Sequence, residues 1–483
     1  MRSTKLRRVY SETEQVKDYR ELLARIKKNF PNNIAFKYKK DSTQKNPEYV
    51  EKTYNQFIND IKALSTSLLE LGYEGKKIVI IGNNRYEWCT TYLAVTTGNM
   101  VIVPLDKALP DNEIETLLER SKAEAVIFDK KYVEIMKKVK KNISSKVNTL
   151  ICMDDFEDEE INRYSDLLTN GYDLIEKGSN KYDEIKIDKD KMSILLFTSG
   201  TTALPKGVML SQQNVCANVS TMATWAKVYE SDVLLSFLPI HHTFECGITF
   251  LYGIYCGATI AFCDGLKYIQ KNMVEYKVSI LVAVPLLLET MYKKILKGIE
   301  DKGKTKLIKN VTKVSNLLLK LHIDIRRKLF KEILNNFGGN LREVFYGAAP
   351  MNKETIVGFN NFGIDLIQGY GLTETSPIIS AETDKEKRAG SVGLIFDNLD
   401  VKIENKDKDG IGEIIVKGPS VMLRILWKQR RNRKSFKRWM VLYWRLWISR
   451  WWWIFICYRK KKRYNSIKKW QKCLSTRNWI FNK

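Results

Sequence analysis

The sequence feature that most constrains the fold is an alternation of short β-branched apolar runs with segments of helical periodicity. Parallel strands that are buried on both faces appear in sequence as continuous apolar runs, and they need helical crossovers between them. The pattern therefore predicts an α/β fold in which sheets are flanked by helices. In the first third of the chain, the apolar runs lie at 78–82, 101–104 and 125–128, and the helical segments lie at 54–73, 88–95 and 112–122.

The same alternation resumes later in the chain, with apolar runs at 193–197, 280–284 and 343–346. Residues 286–336 have mostly helical periodicity with Lys-rich polar faces, whereas the polar stretch 155–190 predicts a loop-rich connection. A chain of 483 residues exceeds one hydrophobic core, so we expect two or three compact units.

Net charge divides the chain into two unequal regions. The full sequence carries 81 Lys and Arg against 55 Asp and Glu, a formal net charge of +26. Residues 424–483 hold 20 of the basic residues, no acidic residue and nine of the 11 Trp. The preceding 423 residues are nearly balanced, with a net charge of about +6. We therefore expect a globular body at 1–423 and a separate basic, Trp-rich tail at 424–483.

The cysteines and the apolar runs indicate the cellular compartment. The eight Cys form no Cys-x-x-Cys pair and no set with His at zinc spacing, which favours thiols in a reducing cytosol. The basic N-terminus is not followed by an apolar stretch, and no apolar run approaches the ~18 residues of a membrane span. The sequence predicts a cytoplasmic protein, with peripheral membrane association as a further expectation.

A loop rich in Ser, Thr and Gly follows the apolar run at 193–197. It reads Thr-Ser-Gly-Thr-Thr-Ala-Leu-Pro-Lys-Gly-Val at 198–208. Small hydroxyl residues and glycine let N–H and O–H groups converge on one anion, and Lys206 can then reach a polyphosphate as a point charge. A Ser/Thr-rich surface turn is the alternative interpretation. The spacing differs from the Walker motif, which disfavours a kinase or a GTPase.

This loop resembles the signature loop of the AMP-forming acyl-adenylate superfamily, which includes acyl-CoA synthetases, luciferases and peptide-synthetase adenylation domains. One departure is Ala203, where the family usually has glycine. The resemblance implies that Lys206 is catalytic and that the phosphates of ATP are bound by Thr198, Ser199, Gly200, Thr201, Thr202 and Lys206.

Two further segments match the superfamily in the same order along the chain. Pro-Ile-His-His-Thr-Phe-Glu at 239–245 resembles the segment that lines the acyl pocket, and the resemblance implies that His241 or His242 lies near the reacting carboxylate. A structural role is the alternative for such a His pair. Tyr-Gly-Ala-Ala-Pro at 346–350 resembles the turn that lies against the adenine, which implies nucleotide contacts from Gly347, Ala348, Ala349 and Pro350.

The segment Gln-Gly-Tyr-Gly-Leu-Thr-Glu-Thr-Ser at 368–376 is the second strong match. The resemblance implies that Tyr370 packs on the adenine, Thr373 contacts the α-phosphate, and Glu374 holds Mg²⁺ between phosphates. Mg²⁺ is a hard cation that binds carboxylate and phosphate oxygens, so a carboxylate at this position suits the chemistry. Nucleotide contacts are also implied for Gln368, Gly369, Tyr370, Gly371 and Thr373.

The match covers roughly residues 15–423 and is most similar to bacterial long-chain fatty-acyl-CoA synthetases. It implies a large, multi-layered adenylate-forming domain, with sheets flanked by helices and a small β subdomain. The implied reaction joins a fatty acid to ATP, releases pyrophosphate and transfers the acyl group from AMP to CoA. A carrier-protein thiol as the acceptor, or an aryl acid as the substrate, remains the alternative. Specific binding to nucleic acid is not expected.

The tail departs from the superfamily, which expects Gly-Trp-x-x-Thr-Gly-Asp-x-Gly, then a hinge and a small mobile domain with a catalytic Lys. Every Trp codon is TGG, so reading one base later converts each Trp to Gly. Trp439 followed by Met440 then becomes Gly-Trp, and Trp444 and Trp447 give Gly at the spacing of that motif. The sequence therefore predicts a shift of reading frame near Leu423, a disordered tail, absence of the small domain and impaired turnover.

A competing interpretation takes the tail at face value. Its Trp-rich and Arg/Lys-rich segments have the composition of peptides that bind anionic membranes or nucleic acid through charge. An inactive pseudogene product whose tail binds such partners non-specifically is thus the second functional alternative.

Overall fold

The predicted alternation of strands and helices is present in the computed structural model. It describes residues 13–142, 145–198, 205–408 and 412–426, and the backbone alone of 440–448 and 455–457. The α-helices in these ranges are α1 (Tyr19–Asn29), α2 (Tyr54–Glu70), α3 (Tyr86–Thr97), α4 (Asp111–Ser121), α5 (Val133–Lys141), α6 (Tyr164–Glu176), α7 (Lys181–Glu184), α8 (Gln212–Met222), α9 (Gly253–Tyr255), α10 (Ile269–Glu275), α11 (Pro285–Asp301), α12 (Thr305–Lys320), α13 (Arg326–Leu329), α14 (Lys331–Asn335) and α15 (Lys353–Asn361).

The strands of the same ranges form three sheets. They are β1 (Ile34–Lys39), β2 (Tyr49–Thr53), β3 (Lys77–Ile81), β4 (Val101–Pro104), β5 (Ala125–Phe128), β6 (Thr149–Cys152), β7 (Asn162–Arg163), β8 (Met192–Thr198), β9 (Lys206–Ser211), β10 (Val233–Ser236), β11 (Thr259–Phe262), β12 (Ile280–Ala283), β13 (Glu343–Tyr346), β14 (Asp365–Gly371), β15 (Ile378–Ala381), β16 (Leu394–Ile395), β17 (Asp400–Glu404), β18 (Gly412–Lys417), β19 (Arg424–Ile425), β20 (Met440–Ile448) and β21 (Phe455–Cys457).

Helix boundaries follow local sequence chemistry. α2 begins with a capping box, in which the Gln56 N–H donates to Thr53 Oγ1 (3.3 Å) and the Thr53 N–H donates to Gln56 Oε1 (2.9 Å). The helix ends before Gly72, whose φ of +79° suits a residue without Cβ. These signals placed the predicted helix at 54–73 close to its observed bounds.

The first sheet has eight strands in the order β19-β9-β8-β4-β3-β5-β6-β7. Its centre is parallel, because α3 and α4 connect β3, β4 and β5 as crossovers. β8 and β9 instead form an antiparallel hairpin. The predicted strands at 78–82, 101–104, 125–128 and 193–197 all lie in this sheet.

The second sheet has nine strands in the order β16-β15-β14-β13-β12-β10-β11-β1-β2. β10 to β14 are parallel in it, and their side chains pack between helices such as α11 and α15. The largest hydrophobic core joins side chains from both sheets and includes Trp88 and Trp225, the two Trp outside the tail. The predicted sheets flanked by helices are confirmed.

A smaller antiparallel sheet has the order β17-β18-β20-β21 and contains the strands at the end of the predicted body. Two of its strands come from the tail, whose backbone at 440–448 pairs with β18. Side chains of these tail strands lie outside the described residues, as do 427–439, 449–454 and 458–483. The shift of reading frame and the disordered tail therefore stay predictions.

One expectation was wrong. The stretch 155–190, predicted to be loop-rich, contains the 13-residue helix α6 and the short helix α7. α6 packs along α2, where Ser67 Oγ donates a hydrogen bond to the Leu167 carbonyl oxygen (2.6 Å). This tertiary contact with α2 contributes to the stability of the helix.

Candidate active site

The β8–β9 hairpin positions the predicted phosphate loop at one end of the first sheet. Thr198 and Lys206 are paired at the end of the hairpin from which the connecting loop leaves. The loop between them includes the predicted residues Ser199, Gly200, Thr201 and Thr202 together with Ala203, and these lie outside the described residues. Arg120 Nη1 donates to the Pro205 carbonyl oxygen (3.0 Å), so α4 anchors the end of the loop.

The segment 368–376 is joined to this hairpin through α8. Ser211 caps α8 directly after β9, since the Asn214 N–H donates to Ser211 Oγ (3.2 Å). Four residues further along, Asn218 Nδ2 donates to the Ile378 carbonyl oxygen (2.8 Å). The Met422 N–H also donates to the Glu374 carbonyl oxygen (2.9 Å). The two strongest sequence motifs are thus held in one place.

Thr373 and Glu374 lie in a short 3-10 turn that follows β14. The turn is tight because Thr375 Oγ1 donates to the Pro377 carbonyl oxygen (2.7 Å) and accepts a hydrogen bond from the Leu372 N–H (3.1 Å). A Cβ at Gly371 would collide with the Pro377 carbonyl, so glycine is required there. Thr373 and Glu374 remain partly exposed at the start of the turn.

The predicted adenine-side residues come from the ends of two adjacent parallel strands. Tyr346 lies opposite Gln368 in the register of β13 and β14, and its hydroxyl donates to Gln368 Oε1 (3.0 Å). A Cβ on Gly347 would lie 3.0 Å from the Gly369 carbonyl oxygen. Gly347 therefore permits close approach of the two segments. Ala348, Ala349 and Pro350 continue this turn, and Tyr370 and Gly371 continue β14.

The two histidines of the segment 239–245 have different surroundings. His241 keeps 17% of its side chain exposed, and its Nδ1 lies 3.9 Å from Asp106 Oδ1. Burial lowers the pKa of His241, and it lowers the pKa of His242 to about 4. Both imidazoles are neutral at pH 7. His242 Nδ1 accepts a hydrogen bond from the Phe244 N–H (3.2 Å), which stabilises the local turn.

A narrow apolar cavity connects these segments, with about 20 Å³ of space for water-sized molecules. Its lining includes His241 and two residues with buried hydroxyls, Thr243 Oγ1 and Ser376 Oγ, that have no hydrogen-bond partner among the described residues. A buried hydroxyl without a partner is costly, and a ligand oxygen would remove that cost. The cavity is lined by Tyr92, Pro104, Ile194, Leu196, Leu210, Val215, His241, Thr243, Cys246, Gly247, Leu251 and Ser376.

Glu245 is a buried carboxyl group for which the sequence motifs predicted no role. Its Oε1 accepts from Ser236 Oγ (2.7 Å) and its Oε2 accepts from Thr249 Oγ1 (2.9 Å), while Asn84 Nδ2 donates to Ser236 Oγ (2.8 Å). Burial raises the pKa of Glu245 to about 8. The network ties β10 to the π-helical turn Glu245–Tyr252, directly after the cavity residues. In the sequence, the signal for Glu245 is its position as the last residue of the segment 239–245.

The residues present are compatible with a magnesium ion shared with a substrate. In the described ranges, no group of three or more His, Cys, Asp or Glu forms a metal cage. Glu374 supplies one carboxylate at a partly exposed position beside the phosphate-loop hairpin. Mg²⁺ is commonly held by one or two carboxylates together with phosphate oxygens, so the donor set fits that mode.

Comparison with known proteins gives a family and several relatives. Residues 23–426 match the AMP-binding enzyme family. The chain is 29% identical over 412 residues to long-chain-fatty-acid–CoA ligase 5 of Rattus norvegicus, covering 78% of this chain and 59% of the relative. It is 30% identical over 381 residues to long-chain-fatty-acid–CoA ligase 6 of Mus musculus, covering 74% and 54%. The chain thus spans under two thirds of these relatives' length.

Solved structures share the fold at low sequence identity. The N-terminal domain of FACL13 from Mycobacterium tuberculosis superposes with a TM-score of 0.70 at 18% identity, covering 92% of this chain and 100% of that domain. An anthranilate CoA ligase, AuaEII, in complex with anthranoyl-AMP superposes with a TM-score of 0.71 at 15% identity, covering 93% and 78%. In the described part of this chain, no helix has the length and apolar character required to cross a bilayer.

Proposed function

The chain belongs to the AMP-binding enzyme family, and on that premise we propose that its body activates a fatty acid with ATP and transfers the acyl group to CoA. One observation carries this proposal. Side chains from β8 and from the segments 239–245 and 368–376 line one apolar cavity, and its few polar lining residues include His241, Thr243 and Ser376. The apolar walls favour an aliphatic group and the two unpartnered hydroxyls favour a carboxylate, and the cavity, which at about 20 Å³ has room for about one water, must widen to admit an acyl chain.

In the first step, a carboxylate oxygen of the acid attacks the α-phosphorus of ATP, and pyrophosphate leaves. Thr243 and Ser376 donate hydrogen bonds that hold the carboxylate, while neutral His241 adds no charge that would trap it as an ion pair. Lys206 and Thr373 bind the phosphates as negative charge moves onto the leaving group. The protein contributes mainly positioning and charge neutralisation.

Glu374 is the residue that would hold Mg²⁺, which supplies further neutralisation of phosphate charge when bound. Gly347, Ala348, Ala349 and Pro350 would lie against the adenine, Tyr370 would pack on it, and Gln368, Gly369 and Gly371 would contact the nucleotide. In the second step, the CoA sulfur attacks the acyl carbonyl carbon and AMP leaves. The sequence similarity to fatty-acid–CoA ligases supports this choice of acid and acceptor.

An ATP–pyrophosphate exchange assay with a panel of fatty and aryl acids tests the activation step. We expect exchange with fatty acids, and an acceptor assay with CoA and with a carrier-protein thiol then identifies the second substrate. Absence of exchange with every acid, in both the present chain and a chain with its reading frame restored after Leu423, would refute the proposal.

Substitutions of the two hydroxyl residues that line the cavity test the carboxylate site. Thr243→Val and Ser376→Ala should each raise KM for the acid by about tenfold while KM for ATP is unchanged, since each removes one hydrogen bond to a charged group. Ser65→Ala is the matched control, because Ser65 Oγ is also buried without a partner but lies in α2. An equal effect of Ser65→Ala would show that the cavity hydroxyls do not act on the acid.

We also propose that 1–423 is the functional domain and that 424–483 is translated out of frame, so that turnover to acyl-CoA is impaired. The spacing of Trp439, Trp444 and Trp447 supports the shift. Resequencing the coding DNA through the Leu423 codon tests it, and an unbroken frame with unrelated codons would exclude it. A cytoplasmic location completes the proposal and is testable by cell fractionation.

A further inference from the structure

α12 has an inner face that is packed and an outer face that is exposed. On the inner face, Ile308 and Val311 contact a small core of Ile299, Phe330, Ile333 and Phe362. Four aliphatic side chains, three in the helix and one at its C-cap, lie to one side of this inner face and are between 55 and 64% exposed. They are Leu307, Val314, Leu317 and Leu321, which we name the α12 apolar stripe.

The stripe follows from the helical repeat. Leu307, Val314 and Leu321 recur at a spacing of seven residues, which returns a side chain to nearly the same side of an α-helix. The exposure is also concentrated in this region. Of the 13 exposed large hydrophobic side chains in the described residues, eight lie between Leu296 and Leu329. Exposed large hydrophobic side chains that cluster along one helix favour an interaction site over scattered surface hydrophobics.

A row of lysines runs beside the α12 apolar stripe. Lys306, Lys313 and Lys320 each precede a stripe residue by one position, so they repeat with the same spacing and lie along one flank. All three are exposed. The stretch 302–323 holds six Lys and no acidic residue, and one of them, Lys304, pairs with Glu332 (3.1 Å). The apolar surface is therefore bordered by positive charge.

We propose that the α12 apolar stripe and its lysine row dock onto the surface of an anionic phospholipid membrane. Aliphatic side chains beside lysines on one helix are the pattern of interfacial helices, whose apolar face enters the acyl boundary while the cations meet lipid phosphates. Long lysine side chains reach the headgroups while their methylene stems stay near the apolar phase. The inference rests on this surface and goes beyond the proposed reaction.

Other occupants fit the surface less well. A second copy of the chain in symmetric contact would oppose two lysine rows, and like charges at close range disfavour that pairing. A nucleic acid would neutralise the lysines but would leave the aliphatic side chains exposed to water. A lipid surface satisfies both the charge and the apolar area.

Amide hydrogen exchange of the full chain, measured in the presence of vesicles, tests whether α12 is the docking site. We expect slower amide exchange in 305–323 with phosphatidylcholine vesicles that contain phosphatidylglycerol, and little change with phosphatidylcholine alone. Because the measurement is local, binding through the basic tail does not imitate it. Unchanged exchange in 305–323 on anionic vesicles, or protection of this segment by rising protein concentration without lipid, would overturn the proposal.

Two triple variants separate charge from apolar contact. Lys306→Gln/Lys313→Gln/Lys320→Gln should weaken partition to anionic vesicles by about tenfold or more, since each lysine near the surface contributes to attraction. Val314→Ser/Leu317→Ser/Leu321→Ser should remove the protection of 305–323 at unchanged net charge. All six positions are exposed, so circular dichroism and the unfolding midpoint should match the parent chain.

The matched control is Lys27→Gln/Lys28→Gln/Lys45→Gln, which removes three exposed lysines elsewhere on the surface. It should weaken partition by less than about threefold, because general attraction falls only slightly with net charge. Equal weakening by the control and by the α12 lysine variant would show non-specific attraction and would contradict the proposal.

Discussion

The wall of the candidate acyl cavity and the α12 apolar stripe use the same kind of side chain in opposite settings. Leu210 of the cavity wall is fully buried, whereas Leu317 of the stripe is 62% exposed. The polar groups also differ, since hydroxyl residues line the cavity and exposed lysines run beside the stripe. A buried aliphatic surface can bind one small ligand. An exposed aliphatic surface that is bordered by lysines suits the surface of a membrane instead.

The largest expected effect separates chemistry from docking. Lys206→Ala should lower the ATP–pyrophosphate exchange rate by about 100- to 1000-fold, because one preorganised cation on the developing phosphate charge is lost. The serine triple variant of the α12 apolar stripe should leave exchange with a water-soluble short-chain acid unchanged. A decrease in exchange rate of less than threefold for Lys206→Ala would mean that Lys206 has no catalytic role.

The second prediction compares how much a leucine of the cavity wall and a leucine of the α12 apolar stripe contribute to the free energy of unfolding. Leu210→Ala should lower the free energy of unfolding by about 2–5 kcal/mol, because it removes buried methyl groups and leaves a cavity. Leu317→Ala should change it by less than about 0.5 kcal/mol, since an exposed side chain loses few contacts. Urea unfolding of both variants measures the contrast. Similar losses would mean that the stripe is covered in the isolated protein.

The third prediction concerns the buried carboxyl group behind the cavity. Burial raises the pKa of Glu245 to about 8 in the folded chain, so the folded state holds its proton where the unfolded state has released it. This contribution to stability is full below the unfolded pKa, near 4.3, and is lost as pH rises through about 8. The difference in free energy of unfolding between the parent chain and Glu245→Gln should therefore decrease as the pH rises from about 4.3 to about 8.

The slope of that difference should be at most about 1.4 kcal/mol per pH unit. Urea unfolding at several pH values in this window measures it. The variant is the internal reference, because other buried carboxyls such as Glu343 and Glu382 titrate equally in both chains. A difference that is independent of pH would mean that Glu245 is already ionised in the folded state.

The smallest expected effect lies on the inner face of α12. Ser315 is buried, and its Oγ has no hydrogen-bond partner in the described part of the chain. Ser315→Ala should raise the free energy of unfolding by about 0.5–1 kcal/mol, because it removes an unsatisfied hydroxyl and improves helix propensity. An increase in the urea midpoint checks it, and a decrease would reveal a hidden partner for the hydroxyl.

Much of the fold was predictable because it depends on local signals. The capping residues of α2 and the continuous apolar runs of β3, β4 and β5 mark these elements without any knowledge of their neighbours. α6 was missed because its stability is not local. Gly171 lowers helix propensity, but a Cβ there would collide with the Ala63 backbone, so the close packing of α6 on α2 requires it.

The candidate site was predictable in its parts but not in its arrangement. The segments 198–208, 239–245, 346–350 and 368–376 each carry a recognisable composition, and the fold brings the described ones together. The sequence left His241 and His242 as alternatives. The structure separates them, since His241 lines the cavity and His242 accepts a hydrogen bond within its own turn.

By itself, the sequence determined the α/β pattern, the family-like motifs and their order, and the contrast between a balanced body and a basic tail. These are properties of composition and short-range spacing. Only the tertiary structure decided that Thr243 and Ser376 share one cavity, that Glu245 is buried, and that Leu307 and Leu317 of α12 are exposed. Burial depends on which distant segments pack against a side chain, and periodicity along one segment does not encode that.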